Sequence, residues 1–157
     1  LLESKGRIIM ISSDSGFFAT PFFGPYCSSK FALEGYSDSL RRELLIFGVK
    51  VVIIEPGRVN TSIWDKGEES LKILKEKLKG SIFEKYAKAV GEHAIKKGKT
   101  EGLNPKKIAE LVHKILNHKN PKTRYLIAPD KMRYRIIKIL PDKMIDKKFK
   151  KEFKNLK

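Results

Sequence analysis

The residues best suited to chemistry in this sequence are Tyr26 and Lys30, which lie four positions apart. If this segment opens a helix, both side chains fall on one face, about one turn apart. A tyrosine hydroxyl ionises only near pH ~10, so it is a poor base at neutral pH. A fixed ammonium group one turn away stabilises the phenolate. The pair therefore predicts a phenol that donates and accepts protons near neutral pH.

Three blocks around this pair resemble the short-chain dehydrogenase/reductase family, and they occur in the family's order. Residues 6–13 (GRIIMISS) resemble the strand that leads to the family's serine, and Ser13 stands thirteen positions before Tyr26. Residues 26–35 (YCSSKFALEG) resemble its catalytic helix, and residues 55–61 (EPGRVNT) resemble its cofactor loop. A bare Tyr-x-x-x-Lys is a weak signal, and the ordered blocks are what make the resemblance specific.

The resemblance implies a hydride transfer between NAD or NADP and an alcohol or ketone. Tyr26 would exchange the proton, Lys30 would hold the nicotinamide ribose, and Ser13 would hydrogen-bond the substrate oxygen. Ser12 is the alternative serine, although the spacing favours Ser13. The residues implied to bind the cofactor are Tyr26, Lys30, Pro56, Gly57, Val59 and Thr61.

The elements that must position these residues form a strand–helix–strand unit. Residues 7–11 and 49–54 are short β-branched runs typical of buried parallel strands, and residues 26–47 have a helical pattern that Gly48 ends. Ser13 and the Pro56-Gly57 loop both follow strands, so they meet at one sheet edge. We expect an α/β fold, the C-terminal part of a Rossmann-like doubly wound parallel sheet, within one domain whose catalytic part is 1–61.

The first strands of such a sheet are expected to lie outside this chain, because the sequence begins at Leu1 and contains no G-x-G-x-x-G. Residues 7–11 would then form an unpaired hydrophobic edge. We expect the chain alone to aggregate, to bind cofactor weakly and to be inactive.

The remaining residues divide into an expected substrate lid (62–103) and a final part (104–157). Phe17, Phe18 and Trp64 are candidates for the substrate pocket, with anchoring to the core as the alternative. Asn104-Pro105 predicts the start of an amphipathic helix, and residues 125–128 predict the last strand. The final part resembles that of retinol and hydroxysteroid dehydrogenases, which implies a lipophilic alcohol or carbonyl substrate, either retinoid-, steroid- or acyl-like.

The net charge of +16 leaves two interpretations of the lysine-rich segments, solvated helix faces or a binding patch. Residues 132–157 form basic amphipathic helices that could contact an anionic membrane or close the substrate pocket. We expect no nucleic-acid partner and no metal site, since no motif for either accompanies the charge. A single cysteine, Cys27, fits a reducing, cytoplasmic compartment, with membrane association possible.

Two other functions compete with the dehydrogenase. One is a basic module for membranes or nucleic acid, in which the active-site residues are vestigial. The other is a sugar-nucleotide epimerase, whose relatives share Tyr-x-x-x-Lys, although the Pro56-Gly57 loop argues against it. The family resemblance also implies that the complete protein forms a homo-oligomer.

Overall fold

A parallel sheet of three strands, in the order β1-β2-β3, lies at the centre of the computed structural model, which describes residues 1–155. The middle strand pairs with both neighbours, so that Ile11 lies beside Ile54 and Pro56 lies beside Ile127. The expected α/β class and parallel sheet are therefore confirmed. The strands are β1 (Arg7–Ile11), β2 (Lys50–Pro56) and β3 (Arg124–Ile127).

Six α-helices connect and follow these strands within residues 1–155. The helix expected over residues 26–47 starts two residues earlier, and its α-helical part ends at Glu43. Its last turn tightens into a 3-10 helix before Gly48, whose φ of 72° ends the segment in the left-handed conformation. The helices are α1 (Gly24–Glu43), α2 (Ile63–Leu78), α3 (Glu84–Glu101), α4 (Pro105–Asn117), α5 (Lys131–Ile137) and α6 (Asp142–Lys154).

The central strand β2 is buried on both faces, which explains its nearly uninterrupted apolar sequence. Successive side chains of a strand point to opposite faces. Val52 and Ile54 pack with Ile115 of α4, and all three are at most 1% exposed. Helix α1 also packs against β2. The sheet is therefore sandwiched between helices.

Helix α4 begins as its sequence predicts, and a side chain from β1 contacts its other end. The Asn104 side chain accepts a hydrogen bond from the backbone N–H of Lys106, and Pro105 occupies the first helical position. At the other end, Arg7 of β1 donates to the backbone oxygens of Ile115 and Leu116. The Ile115 oxygen also accepts from the N–H of the capping residue His118, and the arginine adds a second donor there and fixes α4 to the edge strand.

Within residues 1–155, every helix is too short or too polar to cross a lipid bilayer. The expected lid region is helical, as α2 and α3. The basic C-terminal helices are present as α5 and α6, while the part of that prediction on Leu156 and Lys157 lies outside the described residues.

Candidate active site

Ser13 lies just beyond the carboxyl end of β1, and its side chain is nearly buried, at 6% exposure. It caps a short 3-10 helix (Asp14–Gly16), because its Oγ accepts a hydrogen bond from the N–H of Ser15 at 3.1 Å. The same hydroxyl donates to Oδ1 of Asp14 at 2.9 Å. A hydroxyl has a single proton, so Ser13 must turn away from Asp14 before it can donate to a substrate oxygen.

Ser12, the alternative serine, lies in a different environment. Its backbone N–H extends the sheet by donating to the oxygen of Ile54 at 2.8 Å. Its Oγ has no hydrogen-bond partner and crowds against Gly16, where an added Cβ would lie 2.9 Å from that oxygen. Glu34 of α1 would meet the same Cβ at 2.8 Å. Ser12 therefore packs beneath α1, while Ser13 is tied to Asp14.

Tyr26 and Lys30 lie one turn apart at the start of α1, as their spacing predicts. The Lys30 Nζ atom is 5.8 Å from the centroid of the Tyr26 ring. The same ammonium donates to the backbone oxygen of Ile11, the last residue of β1, at 3.2 Å. Tyr26 is 42% exposed, so its ring is accessible from outside the chain. The lysine therefore joins the tyrosine to the strand that leads to Ser13.

Several of the expected cofactor residues lie at the end of β2 and in the loop that follows it. Gly57 is the first residue of this loop. The Gly57 N–H donates to the oxygen of Ile127 at 2.8 Å, and a Cβ at Gly57 would lie 2.8 Å from that of Ala128. The space beside this glycine is filled by Ala128, and its expected contact with the cofactor remains a prediction. Glycine is therefore needed here for the close approach of β3.

Val59 and Thr61 follow on the same loop. Val59 forms a parallel bridge with Leu103, and its oxygen accepts a hydrogen bond from the indole of Trp64 at 2.8 Å. Thr61 is exposed. Pro56 and Val59, together with Ile11, line one wall of an open apolar groove of about 600 Å³, and α4 forms the other wall. Two of the expected cofactor residues thus share a groove with the end of β1.

The three aromatic residues expected in the substrate pocket lie in different places. Phe17 packs edge-on to Tyr134, with ring centroids 6.4 Å apart, and Phe18 stacks on Phe149 at 6.1 Å. Trp64 lies against Gly98 of α3, where any added Cβ would clash with the indole. Phe17 and Phe18 thus contact the C-terminal helices, and Trp64 ties the cofactor loop to α3. Their contact with substrate remains a prediction.

Asp14 and Tyr134 lie beside the candidate site, although neither is among the residues that the sequence predicts for it. Tyr134 of α5 is 5% exposed. Burial raises the pKa of its hydroxyl, and the Asp14 carboxylate that this hydroxyl faces raises it further. Asp14 thus accepts a hydrogen bond from the Ser13 hydroxyl, and its carboxylate favours the protonated form of the Tyr134 hydroxyl. The position of Asp14 next to Ser13 in the sequence could have indicated its place beside the site. No pattern around Tyr134 indicates that it lies near a residue 120 positions away.

A buried carboxylate, Glu55, lies immediately before Pro56 and is 2% exposed. Lys138, which follows α5, donates to both of its oxygens, at 2.8 and 2.7 Å. The Lys138 ammonium also sits 3.9 Å from the ring centroid of Phe17. A glutamate inside a β-branched strand signals such a counter-charge, because an unpaired buried charge is very costly. The C-terminal segment is thereby fixed to both site loops.

A second charged cluster links α1 to β3 through Arg124. Its guanidinium donates to Glu34 at 3.1 Å, pairs with Asp38 at 3.0 Å and lies 3.6 Å from Glu55. The hydrogen bond from Arg124 holds the pKa of Asp38 below its usual value, against the opposing effect of its partial burial. These pairs fix helix α1 over the sheet.

Comparison with known proteins identifies relatives over most of the chain. The family model for short chain dehydrogenase matches residues 1–72, which include Ser13, Tyr26, Lys30 and the loop after β2. The NADPH-dependent 3-dehydrocapnine reductase of Ornithobacterium rhinotracheale is 42% identical over 153 residues, covering 97% of this chain and 52% of the relative. The 3-ketodihydrosphingosine reductase of Bacteroides thetaiotaomicron is 36% identical over 127 residues, covering 80% and 45%.

Retinol dehydrogenase 7 of Mus musculus is 33% identical over 151 residues, covering 92% of this chain and 48% of the relative. The chain thus spans about half the length of these curated relatives. The crystal structure of a short-chain dehydrogenase from Streptomyces avermitilis matches 99% of this chain and 55% of its own length, with a TM-score of 0.66 at 24% identity, which shows the fold. This chain belongs to the short-chain dehydrogenase/reductase family.

Proposed function

We propose that the protein containing this chain transfers a hydride between a nicotinamide coenzyme and a lipophilic carbonyl or alcohol substrate. The observation that carries this proposal is the position of the Lys30 ammonium. It lies 5.8 Å from the Tyr26 ring and is hydrogen-bonded to Ile11, two residues before Ser13. These two contacts of Lys30 support the assignment of a phenol, an ammonium group and a serine hydroxyl to one site near the end of β1.

The chain's residues have complementary parts in this reaction. Tyr26 donates its proton to the substrate oxygen during reduction and recovers it during oxidation, and the Lys30 ammonium stabilises the phenolate in between. Ser13 hydrogen-bonds the same oxygen as negative charge grows there.

The coenzyme, when bound, supplies or accepts the hydride. The residues fit such a molecule, because Pro56 and Val59 line an open groove beside Ile11, whose backbone oxygen accepts from the Lys30 ammonium. Pro56, Gly57, Val59, Thr61, Tyr26 and Lys30 would hold it. The name of the Ornithobacterium rhinotracheale relative favours NADPH over NADH.

The lipophilic substrate is supported by a second groove, of about 470 Å³, next to the loop that carries Ser13. Phe22 of this loop has a φ of 67°, a strained conformation for a bulky residue, and its ring lies 6.4 Å from that of Phe153. An apolar groove of this size suits the tail of a hydrophobic molecule. The groove is lined by Phe22, Ile82, Phe83, Lys85, Tyr86 and Phe153.

The experiment follows coenzyme oxidation by the complete protein with ketones of increasing alkyl length, using Tyr26→Phe as the test variant. Loss of the general acid should lower kcat by about 10²–10⁴-fold while coenzyme binding stays within about twofold. Tyr36→Phe is the matched control, since Tyr36 lies on the same helix and is 61% exposed. Wild-type turnover in Tyr26→Phe would reject the proposed roles.

The same assay tests the substrate class. If the groove binds an apolar tail, KM should fall as the ketone chain lengthens, and Tyr86→Ser should weaken that dependence without changing kcat for the shortest ketone. A KM that is independent of chain length in the wild-type protein would contradict the lipophilic assignment while leaving hydride transfer standing.

A further inference from the structure

The C-terminal segment from residue 131 to residue 155 has two faces with different surroundings. Phe149 and Phe153 of α6 lie on one side of their helix and contact Phe18, Phe22 and Tyr86. This face closes over the loop after β1 and over α3. Of the two interpretations of these basic helices, pocket closure therefore accounts for their inner face.

The outer face of α6 is almost entirely basic. Met144, Lys147 and Lys151 follow one another at helical spacing on the side opposite the two phenylalanines. All three are exposed, and Met144 is 55% exposed. Over residues 131–155 there are ten lysines and arginines against three acidic residues, which gives this stretch a net charge of +7. The inner face of α6 closes the pocket with phenylalanine side chains, so this excess of positive charge is not needed for closure.

The helix before it, α5, exposes apolar side chains among its own basic residues. Met132 and Ile136 lie one turn apart and are 62% and 47% exposed, and Ile139, just beyond the helix, is 81% exposed. Lys131, Arg133 and Arg135 alternate with them in sequence and are exposed as well. We define the outer surface as these apolar residues together with the exposed lysines of α6.

We propose that this outer surface docks on the headgroups of an anionic lipid bilayer. Long lysine and arginine side chains reach acidic headgroups while their methylene stems lie along apolar material, and methionine and isoleucine insert at the boundary of the acyl chains. A nucleic acid would satisfy the charges, but its phosphate backbone has no apolar layer to receive Met132, Ile136 and Ile139. The combination of charge and exposed apolar residues therefore favours a membrane.

The proposal is independent of hydride transfer, because it rests on surface residues that take no part in the candidate active site. The test is sedimentation of the complete protein with vesicles of phosphatidylcholine alone or with added phosphatidylserine, across a salt series. We expect binding only to the phosphatidylserine vesicles, and we expect it to weaken as salt rises.

Two comparisons, each of a test variant with a matched control variant, locate the contact. The first comparison removes positive charge. Lys147→Gln with Lys151→Gln and Lys154→Gln should lower vesicle affinity by about 100-fold, at roughly fivefold for each charge. Lys106→Gln with Lys107→Gln and Lys114→Gln removes the same charge from exposed positions of α4 and should change affinity by less than about threefold, since those lysines would stay away from the surface.

The apolar arm uses Met132→Gln with Ile136→Gln, against Ile46→Gln with Ile73→Gln as a control at other exposed apolar sites. The first pair should lower affinity for phosphatidylserine vesicles about tenfold or more, and the control pair should not. Equal losses from both lysine triples, equal binding to phosphatidylcholine vesicles, or tighter binding to duplex DNA with the same variant pattern would each overturn the proposal. Circular dichroism of each variant confirms that it is folded.

Discussion

The strand–helix–strand unit at residues 7–61 and the C-terminal helices at residues 131–155 contribute to the candidate site in different ways. In the first region, the deciding contact joins residues 19 positions apart, Lys30 and Ile11. In the second, Lys138 reaches Glu55 across 83 positions, and Tyr134 faces Asp14 across 120. The groups proposed to do chemistry are local to one unit, while the groups that hold its loops come from the far end of the chain.

The difference separates the residues that are proposed to do the chemistry from the residues that hold the surrounding loop in place. Ser13, Tyr26 and Lys30 are positioned by one strand and one helix, so a short motif suffices to place them. The loop between them, which includes Phe17 and Phe18, has no regular structure beyond one short 3-10 helix before α1 begins. It depends on packing from α5 and α6. Variants in the first region should therefore affect mainly the rate, and variants in the second should affect mainly the stability.

The largest effect on rate within this comparison, beyond that of Tyr26, is expected at Ser13. Ser13→Ala should lower kcat by about 10²–10³-fold, as for other donors to a growing oxyanion. It should also cost about 1 kcal/mol of stability, because the cap on Ser15 is lost. Steady-state kinetics and urea unfolding measure the two effects separately.

Ser12→Ala is the matched control for that variant. Its buried hydroxyl has no partner, so removing it should leave kcat unchanged and stability equal or slightly higher. If Ser12→Ala lost activity while Ser13→Ala kept it, the assignment of the serine would be reversed.

A comparable effect on stability is expected at Lys138. Lys138→Met leaves the Glu55 carboxylate without its main partner, which should lower the free energy of unfolding by about 3 kcal/mol. The value is at the lower end for such pairs because the Lys138 side chain is 33% exposed and Arg124 remains near Glu55. Urea unfolding gives the measurement.

Lys143→Met serves as the control, since it removes the same charge from an exposed position of α6 and should cost under about 0.5 kcal/mol. Adding Glu55→Gln to Lys138→Met should recover part of the loss. Equal stability losses at both lysines would show that the long-range pair does not hold the loops.

The strands and helices around the candidate site could be predicted from the sequence, because each is determined by a pattern of neighbouring residues. β-branched runs placed β1 and β2, helical periodicity placed α1, and Asn104-Pro105 placed the start of α4. The end of α1 was set too late, because apolar residues 45–47 continue the pattern while the chain tightens into a 3-10 turn before Gly48.

The contacts between the two regions could not be predicted. Glu55 signals a missing counter-charge, but nothing in its neighbourhood says whether Arg124, Lys138 or another of the 34 basic residues supplies it. The close contact of Gly57 with Ala128 could not be predicted either, because a glycine that makes room for a ligand and one that makes room for a side chain look alike in sequence. Both need the spatial arrangement of β3 and the helices.

A smaller effect concerns the cluster that fixes α1, and it depends on pH. Because Arg124 lowers the pKa of Asp38, this carboxylate stabilises the fold above the ordinary aspartate pKa of about 4 and loses that contribution as pH falls through its lowered value. Asp38→Asn should therefore cost under about 1 kcal/mol at pH ~7, and less at pH ~3. Thermal unfolding across this range tests it.

Asp146→Asn, at an exposed position of α6, should show no such pH-dependent difference from the wild-type protein. A stability loss for Asp38→Asn that grows toward acid would have the wrong sign for a carboxylate with a lowered pKa. It would remove the argument that Arg124 holds α1 through this residue.

The link between the two regions is tested most directly by a double-mutant cycle between Ser13 and Tyr134, with kcat as the readout. We expect Tyr134 to position Ser13 through Asp14, whose carboxylate accepts from Ser13 and raises the pKa of the Tyr134 hydroxyl. Tyr134→Phe should then lower kcat severalfold in the wild-type protein and hardly at all once Ser13 is alanine. The expected coupling is about 1 kcal/mol or more, within the range for residues in one hydrogen-bond network. If Tyr134→Phe lowered kcat by the same factor in both backgrounds, the C-terminal helices would not act on the serine, and the account would be contradicted.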